Sequence, residues 1–514
     1  MPDRRLDVLF VNPNSARQSY QGLSNDFSAI EVPVWSLLLA EACRSRGFGA
    51  AILDCDAERL SPGEAIEKIR DMDPRLVCFV VYGQNPNSGT ANMAGAVGLL
   101  AKLNEEYPEY KVCFVGSHTQ ALPLEILGVE GVDFVLTNEG VWPLQALLGV
   151  LGKKEGEMGK VNGIGWKERD GTPHLNPPDS GVPPKWLGEA YPGYAWDLLP
   201  MNRKPLDLYR AHNWFPYFGS PDRSPYAALY TSLGCPFKCD FCMINSINRD
   251  SNSPDWSAAD SSKIRYWPWR STCAQLDKLI KMGVSTIRLS DEMFFLNRNY
   301  YQVLLEQIRD RWGDFLNLWA YARVDTVRPD QLKLFCSAGV RWLALGIESA
   351  SQRIRREVGK GGSYEEVDIR RVVKEIREAG INVVANYIFG LPDDDYGSMQ
   401  ETLNLSVELN TEHWNGYPAM ALPGSPLYKV ARERGTPLPD SFEGYGFLSY
   451  ECLPLPTKHL TAAEVLSFRD RAFQTYFNRP DYLSMIEGKF GAAARENVRA
   501  MASIKLKRKI LGDM

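Results

Sequence analysis

The chain has 514 residues, 44% hydrophobic and 24% charged, with a formal net charge of −5. That length predicts two to four domains at about 100–200 residues each, and the composition is that of a folded globular protein. The near-neutral charge excludes a global basic field for nucleic acid, and no apolar run approaches the ~20 residues of a membrane span.

Residues 1–150 alternate strands and helices, which predicts a Rossmann-like, doubly wound parallel sheet. Strands are expected at 7–12, 50–54, 76–82, 111–115 and 132–136, and helices at 34–46, 64–72 and 93–106. The run after Arg4-Arg5 is strand-like and not a signal-peptide core. Ten cysteines scattered among the elements read as reduced thiols, so the expected location is cytoplasmic. Ligands of a doubly wound sheet bind outside the carboxyl ends of its strands. Here those ends are Asn12-Pro13-Asn14, Tyr82-Gly83-Gln84-Asn85, Gly116-Ser117-His118-Thr119 and Asn138-Glu139-Gly140. Such turns suit a large polar cofactor approached by backbone, though any doubly wound sheet has polar turns there.

Residues 151–225 form a connector rich in Gly, Pro and Trp, with a hairpin near Gly163-Ile164-Gly165-Trp166 and an aromatic segment at 214–218. From residue 226 to 425 six βα units follow, with strands at 226–231, 286–290, 316–322, 342–347, 383–389 and 413–420. Repeats of this length predict a partial (β/α)6 TIM-type barrel, with chemistry at the strand C-termini. The loop after the first of these strands carries Cys235-x3-Cys239-x2-Cys242. Thiolates hold iron–sulfur clusters, and three ligands for four irons leave one iron open; a structural zinc site normally takes four ligands. Other strand ends carry Asp291 and Glu292, Arg323, Glu348 and Ser349, and Gly390 and Leu391. The competing reading is that these charges cap helices or pair across the barrel rim.

Residues 245–263 form a long polar loop, the kind that often serves as a lid. Tyr266-Trp267-Pro268-Trp269-Arg270 suits either substrate contact or barrel cover. Residues 426–514 form a mainly helical C-terminal region, with an amphipathic helix at 462–478 capped by Thr461. The basic stretch 505–509 reads as a solvated helix face.

The C-x3-C-x2-C spacing, with Phe241 before the last cysteine, resembles the radical SAM superfamily. Five strands with a G-x-H-T turn after the fourth and an N-E-G turn after the fifth resemble the cobalamin-binding domains that precede radical SAM barrels. The resemblance implies a [4Fe-4S] cluster on Cys235, Cys239 and Cys242, whose open iron chelates S-adenosylmethionine (SAM). One-electron cleavage of SAM then gives a 5'-deoxyadenosyl radical. It further implies Asp291 and Glu292 near the methionine end of SAM, Arg323 near its carboxylate, Glu348 or Ser349 near ribose, and Gly390 and Leu391 at adenine.

Cobalamin is implied at Asn12, Pro13, Asn14, Tyr82, Gln84, Asn85, Gly116, Ser117, His118, Asn138, Glu139 and Gly140. None of the five histidines sits in a D-x-H-x-x-G motif, so base-off binding without a histidine ligand is expected. His118 itself reads as a turn residue bonded to backbone or cofactor. The implied reaction is methylation of an unactivated carbon of a natural-product intermediate or peptide. Alternatives are a non-methylating rearrangement, cyclisation or oxidation with the same cofactors, or a non-catalytic cluster-containing binding protein. The implied partner is an electron donor such as flavodoxin or ferredoxin, with neither nucleic acid nor membrane.

Overall fold

The computed structural model describes residues 5–153, 155–168, 170–213 and 223–513. The aromatic segment 214–218 lies outside them.

Five parallel strands, β1 (Val8–Asn12), β2 (Ala50–Asp54), β3 (Val77–Val81), β4 (Val112–Gly116) and β5 (Phe134–Leu136), build the first sheet. An antiparallel hairpin, β6 (Ile164–Lys167) and β7 (Pro173–Leu175), extends it, giving the order β2-β1-β3-β4-β5-β6-β7. The strands are apolar throughout because both faces are covered. Val8 and Phe10 point into one core, while Leu9 and Val11 point into another with Phe79 and Met93. The strand order reverses between β1 and β3, which makes the turns after these two strands the walls of the expected ligand crevice.

The second sheet holds β8 (Tyr226–Leu229), β11 (Thr286–Leu289), β12 (Asn317–Arg323), β13 (Val340–Glu348), β14 (Asn382–Phe389) and β15 (His413–Pro418). All six are parallel and lie side by side in chain order, so β8 and β15 are the two free edges of an incomplete barrel. Between β8 and β11 the chain adds a short antiparallel ribbon, β9 (Ser232–Gly234) with β10 (Ile264–Tyr266). The sequence pattern does not announce it, since three-residue strands are too short for a period to register.

Helix Ala462–Phe477 starts at Thr461, whose side chain and that of Glu464 form a capping box, and it packs on β14 and β15. The basic stretch departs from expectation. Residues 504–508 are not helical, and Arg508 is buried with its guanidinium on Asp470 and on the carbonyls of Phe447 and Ser449. One continuous apolar cluster runs from the first sheet through the connector and barrel into the C-terminal helices. Among the described residues no helix is long and apolar enough to cross a membrane.

Candidate active site

The cysteine loop is fixed at its root before any cofactor is considered. Gly234 ends β9 at φ +84°, and a Cβ there would lie 2.3 Å from the Lys263 carbonyl, so only glycine fits. Asp291, at the end of β11, accepts hydrogen bonds from the Thr231 amide at 3.0 Å, the Thr231 hydroxyl at 2.9 Å and the Ser232 hydroxyl. Burial pushes its carboxyl up to about 6, against those bonds. Asp291, expected near the methionine end of SAM, therefore clamps the approach to the loop. Asn245 accepts from the Cys235 amide at 2.9 Å and donates to the Cys235 carbonyl at 2.8 Å. The long polar loop is thus a brace. Ser246 donates to Gln120 at 3.0 Å and Arg249 to the Ala121 carbonyl at 3.0 Å, joining the loop to the first domain. Trp267 is buried and packs at 5.9 Å from Tyr191, which makes the aromatic cluster barrel cover.

Cys235, Cys239 and Cys242 are each half-buried, whereas six of the other seven cysteines are buried outright. Burial raises all three thiols, Cys235 to about 12, and the cations Lys360 and Arg323 pull Cys239 back. Among the described residues no three Cys, His, Asp or Glu side chains converge as they would on one ion. A four-iron cluster does not ask for that convergence, since it spreads its thiolates over separate irons. Three accessible thiols on one braced loop, beside two buried cations that offset thiolate charge, fit such a cluster.

Around the loop the strand ends sort into used and available groups. Glu292 is the available one. Among the described residues neither of its buried carboxylate oxygens has a partner of hydrogen-bond geometry, and burial holds its pKa well above the ordinary range against the pull of the Glu292 and Gly234 amides and of Arg288. An uncompensated buried carboxylate is costly unless a ligand pairs with it, and an ammonium group is the obvious match. Arg323 is chelated by Asp325 at 2.9 and 3.1 Å, with its guanidinium 3.8 Å above the Phe237 ring of the cysteine loop. Its Nη1 is buried with no partner among the described residues. Glu348 sits at φ +64° on a register shift against β14 and pairs with Lys360, which also donates to the Gly346 carbonyl at 2.7 Å. Such strain in a non-glycine residue is typical of functional sites. Ser349 bonds Thr402 at 3.2 Å, and the Gly390 and Leu391 amides donate to Asp394 at 3.1 and 3.0 Å.

The turns of the first sheet divide in the same way. Ser117 donates to the Pro86 carbonyl at 2.6 Å, and His118 is buried between the side chains of Thr90 at 3.2 Å and Glu125 at 3.1 Å. Asn138 is buried on the Asp179 carbonyl and the Gly140 amide, and Glu139 forms a buried ion pair with Arg265. A Cβ on Gly116 would meet the Val81 carbonyl at 2.1 Å, so this glycine serves strand packing. Tyr82 is buried, stacked at 4.6 Å on Trp35, and Pro13 is buried too. The polar groups of Ser117, His118, Asn138 and Glu139, expected at a corrin, are hydrogen-bonded or ion-paired within the protein. The polar residues that keep accessible surface are Asn12, Asn14, Gly83, Gln84 and Asn85, at the turns after β1 and β3, the two walls of the crevice. Asn12 donates to Asp54 at 2.7 Å and Gln84 meets His212 at 2.7 Å, so these side chains are held in place while keeping surface that fits a corrinoid.

This crevice faces the barrel interior. Arg288 on β11 pairs with Glu31 of the first domain at 3.2 Å and donates to the Gln84 carbonyl at 3.1 Å, while Tyr226 donates to Glu31 at 3.0 Å. Below lie Tyr321, Asn386, Asn415 and Tyr417, with Asn386 accepting from Asn415 at 3.0 Å. Burial holds the phenols of Tyr20, Tyr321 and Tyr417 above the ordinary range, yet all three side chains keep accessible surface. Sequence reasoning missed Lys360, Arg288, Glu31 and Asn87. Only Lys360 carried a signal, its setting in Gly359-Lys360-Gly361-Gly362.

Sheet, cysteine loop and docked first domain define an enzyme of the radical SAM class preceded by a cofactor-binding sheet. The radical SAM superfamily model matches residues 229–406 and the B12 binding domain model residues 22–148. The chain thus carries a B12-binding domain followed by a radical SAM domain, the pairing of cobalamin-dependent radical SAM enzymes. It is 25% identical over 442 residues to an uncharacterised methyltransferase of Pyrococcus horikoshii, covering 84% of this chain and 85% of the relative. It is 24% identical over 453 residues to the anaerobic magnesium-protoporphyrin IX monomethyl ester cyclase of Rubrivivax gelatinosus, covering 86% and 73%. The radical SAM methyltransferase TsrM of Kitasatospora setae, solved with tryptophan and a SAM analogue, superposes with a TM-score of 0.65 at 16% identity, covering 97% of this chain and 98% of that one. At that identity the likeness speaks for the fold.

Proposed function

We propose that the protein is a cobalamin-dependent radical SAM methyltransferase acting on an unactivated carbon of a small molecule. The observation that carries this reading is a braced loop presenting Cys235, Cys239 and Cys242 beside a first sheet held on the barrel through Arg288, Glu31 and Gln84. When bound, the cluster with SAM supplies one-electron cleavage and hydrogen abstraction, and cobalamin supplies a methyl group. Cys235, Cys239 and Cys242 would hold the cluster, and Asn12, Asn14, Gln84 and Asn85 would border the corrin. Glu292 would bind the ammonium of SAM, and Arg323 Nη1 its carboxylate. Glu348, presented by its left-handed backbone and steadied by Lys360, would accept from ribose hydroxyls. The chain's own task is to keep water and stray hydrogen donors out, which the two-domain enclosure does. Tyr321, Asn386, Asn415 and Tyr417 would orient the substrate. A low-potential donor such as flavodoxin or ferredoxin would supply the electron, in a reducing cytoplasmic setting.

The test is anaerobic incubation of reconstituted protein with SAM, cobalamin and reductant, read by corrin absorbance and product mass. Bound corrin, 5'-deoxyadenosine release and a methylated product support the reading. Release without corrin binding would remove the first-domain assignment. Neither signal, from protein with a full cluster, would overturn it. The similarity to an anaerobic cyclase favours a second reading, the same cofactors with no methyl transferred, told apart by product mass.

A further inference from the structure

The third turn of the first domain reaches the cysteine loop through one side chain. Asn87 accepts a hydrogen bond from the Met243 amide at 3.0 Å through Oδ1, and its Nδ2 lies 3.8 Å from the Cys242 sulfur. The orientation of the carboxamide is not arbitrary. A backbone amide only donates, so Met243 fixes the oxygen on its own side and leaves the NH2 toward the sulfur. Asn87 is itself held in place. Its amide donates to Asn85 Oδ1 at 2.9 Å, and the neighbouring Pro86 carbonyl accepts from Ser117 at 2.6 Å. The donor therefore arrives with the docked first domain, 155 residues from the cysteine it serves.

We infer that Asn87 is a positioning residue that raises the reduction potential of the cluster by donating to the Cys242 thiolate. This rests on the cluster reading given above. A hydrogen bond to a cluster sulfur stabilises the more negative, reduced state, so potentials follow donors and solvent around the sulfurs. Because the donor belongs to the first domain, the cluster is easiest to reduce when that domain is seated on the barrel.

The experiment is an anaerobic redox titration, monitored by electron paramagnetic resonance, of the full chain and of Asn87→Ala and Asn87→Asp, with iron and sulfide counted in each. The alanine variant loses the donor and is expected to titrate at a more negative potential with unchanged iron. The aspartate variant keeps the bond from Met243 but sets a negative charge beside the sulfur, and is expected to titrate lower still. Potentials that coincide across all three fully loaded proteins would overturn the inference. Loss of the cluster from the variants alone would also overturn it, assigning Asn87 to loop integrity. A wild-type protein that takes up no cluster would instead refute the underlying reading, and the inference with it.

Discussion

Glu139 of the first sheet and Arg265 of the β9–β10 ribbon form a buried, two-pronged ion pair, with oxygen–nitrogen distances of 3.0 and 2.7 Å and side chains 1% and 3% exposed. It ties the turn after β5 to the strand that braces the cysteine loop. Removing one partner leaves the other charge buried and unpaired. Glu139→Gln is therefore expected to lower stability by about 3–5 kcal/mol in denaturant unfolding, and Glu139→Leu with Arg265→Met to recover most of it. Equal stability of the single and double variants would contradict the pairing.

Glu292 offers a sharper test of the site. Among the described residues its carboxylate oxygens have no partner of hydrogen-bond geometry, so Glu292→Gln is expected to leave iron content and folding intact. SAM affinity should fall about 10–100-fold, the worth of a hydrogen bond to a charged group. Equilibrium binding to the reconstituted protein measures it, and unchanged affinity would place the ammonium elsewhere.

The cysteines are expected to behave as a set. Alanine at any one of Cys235, Cys239 or Cys242 should abolish iron–sulfur absorbance while circular dichroism stays unchanged, because the half-buried thiols add little to the core. Alanine at buried Cys273 should leave the iron in place.

Asp394 gives the fold a pH dependence of known sign. Burial raises its carboxyl from 3.8 to about 6, although Ser398 and the Leu391 and Gly390 amides bond it. The folded state then holds this proton more tightly than the unfolded one. Its contribution is present in full below about pH 4 and is lost as pH rises through about 6, a change of about 3 kcal/mol. Asp394→Asn has no such titration, so its stability relative to wild type should improve by that amount between pH 4 and 7. A constant difference would show that the carboxyl titrates normally.

The six barrel strands were legible because a sheet buried on both faces reads as apolar runs, such as Val383-Val384-Ala385. The cysteine loop was legible because its spacing is set by ligand chemistry. The turns of the first sheet were harder to read. Asn138-Glu139-Gly140 has the residue types of a ligand-binding turn, yet Glu139 is spent on Arg265, a partner 126 residues away that no local pattern announces. Asp291 and Glu292 are adjacent in sequence and look alike, but both lie past the end of β11, where no strand period tells which way each carboxyl turns. One clamps Thr231 and Ser232 while the other is left bare. The ribbon β9–β10 escaped notice for want of length.

The barrel sheet ends at β8 and β15 without meeting itself, and residues from another domain, Glu31 and Gln84, complete its lining. Two surfaces from different domains thus meet across one seam. Substitutions in the turns after β1 and β3 can reshape what that seam admits while the cysteine loop, pinned from within the barrel by Asp291 and Asn245, keeps its form. New substrates in this lineage are open to acquisition by editing the roof and leaving the ignition untouched.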